Sequence, residues 1–267
     1  MNDNSSNILL KQLNDIGILR LILNDPNNKN ALSDIMMQEL IDSLNKADLD
    51  NSVKVIVIGS VGDVFCSGHN LKEINEARNH NDEGKYYFVD LFNKCSYLMQ
   101  LIVNCSKPVI AEVNGIATAA GCQLVASCDL AISSNKAKFA TPGVNIGLFC
   151  STPMVALSRN VSKKDSMKML LTGELISAKE AKRISLINDN VPEDQLTNSV
   201  MDLAEKISKK SSEVVGNGKE AFYNQAELNL NDAYEYTSNL MAKNILKDEA
   251  KEGINAFLNK RDPKWRD

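Results

Sequence analysis

A surplus of positive charge is missing from this chain: 30 Lys and Arg stand against 34 Asp and Glu, a formal net charge of −4. A phosphate backbone finds no general basic field here, so nucleic acid is not expected as a partner. Histidine is scarce, with only His69 and His80, and the six cysteines (Cys66, Cys95, Cys105, Cys122, Cys128, Cys150) form no C-x-x-C pair. Metal binding is therefore not expected, and the cysteines read as free thiols buried like small hydrophobes in a reducing compartment. No apolar run approaches the roughly 20 residues of a membrane span, so none is expected. The opening MNDNSSN carries acid and amide side chains where a transit peptide would be Arg-rich, and it has no apolar core for secretion, so no targeting signal is read there. Internal repeats and low-complexity tracts are lacking as well.

What remains is ordinary globular composition, 43% hydrophobic and 24% charged over 267 residues, enough for a large buried core. Residues 1–7 read as a loose tail. Ile8 to Leu13 and Ile16 to Leu23, split by Asn14-Asp15, predict a hairpin. Ser33 can cap a helix with Met37, Leu40, Ile41 and Leu44 at helical spacing. Val53 to Ile58 and Val109 to Val113 are unbroken apolar runs, as in strands covered on both faces. A helical stripe from Phe88 to Ile102 lies between them, and Leu130 to Ser133 predicts another strand. From Lys164 onward the pattern turns helical: Met167 to Leu171, a capping box at Ser177 to Glu180, Leu196 to Lys209, Glu213 to Ala226 and a long run from Asp232 to Lys260. A core over 8–195 and a helical region over 196–267 follow from that pattern.

The densest signals fall between Lys107 and Ser151. A β-branched strand meets Asn114-Gly115, then the small residues Ala117, Ala119, Ala120 and Gly121, where a helix running to Asp129 begins. Uncovered main-chain N–H groups at a helix start attract negative charge, so a site for a developing anion is expected. Gly68, ahead of a second helix-like run, offers another such place.

The segments FCSGHNLKEI, KPVIAEVNG with CQLVASCDLAI, and FATPGVNIGLF together resemble the enoyl-CoA hydratase/isomerase (crotonase) superfamily, colinearly and over nearly the whole chain. The resemblance implies an α/β fold of the ClpP/crotonase type, a spiral of ββα units with a C-terminal helical trimerisation region, assembled as a homotrimer or hexamer. It implies an acyl-CoA thioester as the bound small molecule, with no other cofactor, and a place in fatty-acid metabolism. The thioester carbonyl would lie between two backbone N–H groups, matching here His69 and Ala120, with Gly68 and Gly121 beside them. The imidazole of His69 is given no acid/base role, because the family uses the main chain at that position. The resemblance also implies CoA contacts at Cys66, Gly68, Asn70 and Leu71, and phosphate contacts from Lys29, Lys72 and Lys260, the last across a subunit boundary. A mitochondrial location is implied, with the cytoplasm as the alternative because no presequence is visible.

In one respect the chain departs from that family's hydratases, whose two glutamates position water and move protons. The matching positions are Gln123 and Gly143, and neither side chain exchanges a proton near neutral pH. Efficient hydration is not expected, and restoring both carboxylates is predicted to produce measurable hydration. An aspartate used by other members falls at Ser151. Glu112 and Asp129 read as structural acids, and Cys150 as a core thiol. A reaction needing only enolate or oxyanion stabilisation (lyase, thioesterase or decarboxylase type) and a non-catalytic CoA-ester sensor or partner subunit are the alternatives.

Overall fold

Val55, Ile56, Val57 and Ile58 are all fully buried, which a strand covered on both faces requires. The structure, a computed structural model that describes residues 7–266, places this run near the middle of a six-stranded sheet. The strands in chain order are β1 (Leu9–Leu13), β2 (Ile18–Leu23), β3 (Val55–Ser60), β4 (Val64–Cys66), β5 (Val109–Val113), β6 (Ile116–Thr118), β7 (Leu130–Ser134), β8 (Lys138–Ala140), β9 (Ile176–Ser177) and β10 (Asp189–Val191). The helices are α1 (Asp34–Leu49), α2 (Leu71–Ala77), α3 (Lys85–Asn104), α4 (Ala120–Ser127), α5 (Pro153–Asn160), α6 (Lys163–Thr172), α7 (Ala178–Arg183), α8 (Leu196–Ser208), α9 (Ser212–Ala226), α10 (Leu230–Asn244) and α11 (Asp248–Leu258).

The large sheet runs β1-β2-β3-β5-β7-β10 and is parallel except for the β1–β2 hairpin. The small sheet runs β4-β6-β8-β9, parallel except at its β8–β9 edge. β3, β5 and β7 in the large sheet are followed by β4, β6 and β8 in the small one, with helices between successive turns. That is the expected spiral of ββα units. It stacks β4 beside β6 and β6 beside β8, so the segments leaving these three short strands emerge as neighbours.

Side-chain alternation divides the core in two. Ile56 and Ile58 face the large cluster built with α1, α3 and α4, while Val55 and Val57 join Ile18, Ile110 and Ile132 against Leu196, Val200 and Ala204 of α8. α8 therefore covers the back of the sheet, and α9 is anchored beside it through Lys219 and Tyr223, which both bind Asp129. The run from Asp232 to Lys260 is two helices rather than one, with the chain breaking at 245–247 where Lys247 enters an extended conformation ahead of α11. Ser33 and Ser177 cap α1 and α7 as their spacing predicts, accepting from Met36 N and Glu180 N. The hairpin turn is pinned by Asn14, whose Oδ1 accepts from the backbone N–H of Ile16 and Ile18. Of the tail over 1–7, all but Asn7 lies outside the described residues.

Candidate functional site

β4 ends at Cys66 and its neighbour β6 ends at Thr118, so Ser67–Leu71 and Ala119–Gly121 leave the small sheet side by side. Their approach is close. A Cβ built on Gly68 would lie 2.9 Å from Ala119 Cβ, 3.1 Å from Thr118 O and 3.2 Å from Ala120 N. One on Gly121 would lie 2.1 Å from Cys66 O, a contact no side chain tolerates. Gly68 also holds φ +95°, a left-handed conformation that glycine alone adopts readily. Thr118 Oγ1 donates to Ser67 O at 3.1 Å and ties the two segments together.

Ala119 turns the chain from β6 into α4 with φ 51° and ψ −119°, a region L-residues seldom occupy. Backbone strain of this kind costs on the order of 1–3 kcal/mol and persists where the surroundings fix it. Here the fixing bonds are Ala119 N to Ala140 O at 3.0 Å and Gln123 N to Ala119 O at 3.0 Å. α4 has no side-chain cap at Ala119, and the N–H of Ala120 is one of the first-turn donors that helix geometry leaves without an intrahelical acceptor.

The His69 side is held from the opposite direction. Leu32 N donates to Gly68 O at 2.8 Å, and Ser67 N donates to Lys29 O at 3.2 Å. Asn30 anchors that strap: it is fully buried at φ 50°, donates through Nδ2 to Val61 O (2.9 Å) and Val64 O (2.7 Å), and accepts from Asp25 N at 2.8 Å. Nothing in the reading of the sequence singled Asn30 out, although asparagine is among the few residues enriched at positive φ. The His69 imidazole meets Phe92 of α3 edge-on, with ring centroids 5.5 Å apart, and neither ring nitrogen has a hydrogen-bond partner. Burial lowers its pKa, and the nearby Leu32 backbone and Asp34 carboxylate only partly oppose that, so the ring is neutral at pH 7.

Gln123 lies one turn into α4, buried, with Oε1 unpartnered. Thr141 follows β8, equally buried, with Oγ1 unpartnered. Gly143 is in the short turn after it, where its N–H donates to Cys150 Sγ at 3.3 Å and its carbonyl accepts from Leu148 N at 2.9 Å. A Cβ on Gly143 would lie 2.9 Å from both Cys150 Sγ and Leu148 O. The hydration expected of Gln123→Glu with Gly143→Glu therefore requires the 148–150 segment to shift, since a side chain at 143 starts against a backbone oxygen. Burial raises the pKa of Cys150 despite the Gly143 N–H, which fits a core thiol and not a thiolate nucleophile. Ser151 is exposed and donates to Phe149 O at 3.3 Å.

The two acids read as structural are bound into the fold. Glu112 on β5 accepts from Arg20 Nη2 at 2.7 Å and from Thr197 Oγ1 at 2.6 Å. Asp129, at the end of α4, accepts from Val109 N (2.7 Å), Tyr223 Oη (2.8 Å) and Lys219 Nζ (2.7 Å). Both carboxylates thus tie separate elements together.

Among the other candidates, Cys66 is fully buried and its thiol is pushed up to about 12 by desolvation, so only its backbone is available. Asn70 caps α2, accepting from Lys72 N at 3.1 Å and donating to Glu73 Oε1 at 3.1 Å. Leu71, Lys29 and Lys72 are exposed around this same rim. Lys260 stands apart, ending α11 at φ 53° in a segment tied to α8 and α9 through Trp265 Nε1 to Lys209 O (2.9 Å) and the Lys247–Glu213 ion pair. Among the described residues, no group of three or more His, Cys, Asp or Glu is arranged to hold a metal ion, and no helix is long and apolar enough to cross a membrane.

The sequence profile of the Enoyl-CoA hydratase/isomerase family matches residues 14–267. The chain belongs to that family. It is 50% identical over 250 residues to the mitochondrial enoyl-CoA hydratase domain-containing protein 3 of Xenopus laevis, covering 93% of this chain and 83% of that one. A crystal structure of human enoyl Coenzyme A hydratase domain-containing protein 3 superposes with a TM-score of 0.92 at 46% identity, covering 97% of this chain and all of that one. An enoyl-CoA hydratase of Mycobacterium smegmatis gives 0.93 at 43% identity over 97% and 99%. These likenesses establish the crotonase fold over 97% of the chain.

Proposed function

We propose that this family member binds an acyl-CoA thioester of fatty-acid metabolism and does not hydrate enoyl-CoA efficiently. The thioester carbonyl accepts from the backbone N–H groups of His69 and Ala120, which stabilise an enolate or tetrahedral oxyanion. The observation that carries this reading is the approach of Gly68 to Ala119 and Ala120, 3.2 Å from a Cβ position to the Ala120 nitrogen, which sets the two backbone segments side by side. Hydration needs a base for water and an acid for the α-carbon, each contributing about 10²–10⁴-fold. Gln123 supplies neither, and Gly143 supplies no side chain. Any turnover here rests on oxyanion stabilisation, with acid or base drawn from the substrate.

The exposed Lys29 and Lys72 beside the Cys66–Leu71 rim suit CoA phosphates, with no cofactor beyond the thioester itself. Lys260 reaches such a site from a neighbouring copy. Assembly as a homotrimer or hexamer is supported by the apolar surface of the last helices, where Phe257 is 83% and Leu230 75% exposed in a single chain. A mitochondrial location is supported by the likeness to the mitochondrial protein of Xenopus laevis.

The test is stabilisation by ligand. Acyl-CoA at 100 times its Kd is expected to add about 2.7 kcal/mol to unfolding. No thermal shift with any acyl-CoA overturns the binding reading. Turnover of crotonyl-CoA at ordinary hydratase rates overturns the claim that the absent carboxylates matter.

A further inference from the structure

α11 ends at Leu258, and the chain that follows reverses on it. Asn259 closes the helix, Lys260 turns back at φ 53°, and two bonds seal the turn: Arg261 N to Ala256 O at 3.0 Å and Lys260 N to Phe257 O at 3.2 Å. Glycine is the usual residue at such a left-handed helix end, so a lysine is held there against its own preference. What holds it is the segment beyond.

Residues 261–266 run back along α11 and grip it at successive turns. Arg261 donates to both oxygens of Glu252 (2.6 and 2.8 Å) and to Asn255 Oδ1 (2.8 Å), and Lys264 N donates to Glu252 Oε1 at 2.8 Å. Arg266 N donates to Glu249 Oε1 at 3.0 Å, and its guanidinium pairs with Asp248. Trp265 reaches furthest. Its ring lies against Gly253, where an added Cβ would be 3.3 Å from it, and its Nε1 donates at 2.9 Å to the carbonyl of Lys209 at the end of α8. Because α8 is packed on the large sheet, Trp265 ties α11 and its strap to the core.

The charges sort in the same way. Lys247, Lys251, Arg261 and Arg266 pair with Glu213, Asp248, Glu252 and Asp248, and Lys264 lends its charge to Glu252. Lys260 is exposed and pairs with no acid among the described residues. An unpaired cation at an unfavourable backbone angle, anchored before and after, is a cation presented to an anion from outside its own surroundings.

We propose that Trp265 is a positioning residue: through the strap it sets Lys260 where a CoA phosphate on a neighbouring copy meets it. The inference rests on the thioester reading above and adds the device that presents its third lysine. No covalent step is involved, and Trp265 itself touches no ligand.

The experiment titrates the full chain calorimetrically with butyryl-CoA and with butyryl-pantetheine, which keeps the thioester and lacks every phosphate. Lys260→Met and Trp265→Ala are each expected to weaken butyryl-CoA about tenfold, the size of one charge-assisted hydrogen bond, and to leave butyryl-pantetheine unchanged. The double variant is expected to bind no more weakly than either single one, because both remove the same contact. Trp265→Phe keeps a ring on Gly253 and loses only the bond to Lys209, so its loss is smaller and equally confined to butyryl-CoA; it carries the test should Trp265→Ala fail to fold. Equal losses on both ligands in the Trp265 variants would show a merely structural role and overturn the inference. Undiminished butyryl-CoA affinity in them overturns it too, and leaves the phosphate role of Lys260 standing where Lys260→Met still weakens binding. No loss in Lys260→Met overturns the inference together with that role, while continued binding of both ligands keeps the thioester reading. A wild-type chain that binds neither ligand overturns that reading as well.

Discussion

Two sets of buried polar side chains in this molecule differ in how completely they are paired. On the face covered by α8 and α9, Asp129 uses both oxygens on Val109 N, Tyr223 and Lys219, and Lys219 Nζ further donates to Ile102 O (2.9 Å) and Lys107 O (3.0 Å). Beside the backbone cradle, His69, Gln123 and Thr141 are as deeply placed at their polar atoms and have no hydrogen-bond partner. The first set joins elements distant in sequence; the second joins none through these atoms. A buried charge is thus poor evidence of a site here, and a buried neutral atom without a partner is the better guide. The glycines divide similarly: Gly68 and Gly121 open space for a backbone cradle, while the space at Gly143 is already filled.

The comparison is broken most directly at its paired end. Lys219→Met removes the cation from Asp129 and frees two buried carbonyls, and severing a buried ion pair by deleting one partner costs about 3–5 kcal/mol. Chemical denaturation should show a loss of that size with acyl-CoA affinity unchanged in the folded fraction. A loss near zero would place Lys219 among ornamental surface charges and dissolve the contrast. Next in size is Gly143→Glu, which forces a side chain against Leu148 O and Cys150 Sγ, both 2.9 Å from the new Cβ. Overpacking of this kind costs about 1–3 kcal/mol. The variant is expected to unfold at lower denaturant and to show no crotonyl-CoA hydration, alone or with Gln123→Glu. Undiminished stability would mean that the 148–150 segment yields readily and that the missing glutamate is a matter of one side chain.

Much of the cradle was legible in the sequence because it is built from what residues lack. Gly68, Ala119, Ala120 and Gly121 are small where two backbones meet, and smallness is visible in letters. The strands at Val55–Ser60 and Val109–Val113 were equally plain, since burial on both faces leaves no polar residue to interrupt them. The filled space at Gly143 was not legible: it depends on Cys150, seven residues on, folding back over the turn. The positive φ of Ala119 was hidden for a related reason, because an alanine there is held by hydrogen bonds to Ala140 and Gln123 rather than by its own preference. Thr141 gave no signal at all. Its meaning lies in the partner it lacks, and no spacing rule encodes that. The split of 232–260 into two helices escaped because both halves read as helix, with only an extended Lys247 between them.

Two threonines sharpen the comparison at smaller magnitude. Thr197 Oγ1 donates to Glu112 Oε1 at 2.6 Å, whereas Thr141 Oγ1 has no partner. Replacing each by valine keeps the branched shape and removes only the hydroxyl. Thr197→Val is expected to destabilise by about 1–2 kcal/mol, since a hydrogen bond to a carboxylate is lost and Glu112 stays buried. Thr141→Val is expected to stabilise the ligand-free chain by about 1 kcal/mol, because an unpaired atom is replaced by a methyl group. Opposite signs in urea unfolding support the distinction; equal losses would show that Thr141 is paired, by water if not by protein.

The smallest expected effect is a tilt with pH that comes from His69. Burial lowers its folded pKa, with Asp34 and the Leu32 backbone opposing, so the folded chain takes up a proton less readily than the unfolded one. Where the unfolded state binds more protons, stability rises with pH. The neutral-ring contribution is therefore fully present above the ordinary histidine range near 6.5 and is lost as pH falls through it toward the lowered folded value. The lowered carboxylates, Asp48 and Glu252 among them, titrate below this window and leave it clear. Unfolding free energy measured from pH 7.5 to 5.5 should decline in the wild type and decline less in His69→Leu, which keeps the packing against Phe92 and removes both nitrogens. Identical slopes would mean that the ring finds a proton acceptor on charging, and His69 would then belong with Asp129 and Lys219 among the paired groups.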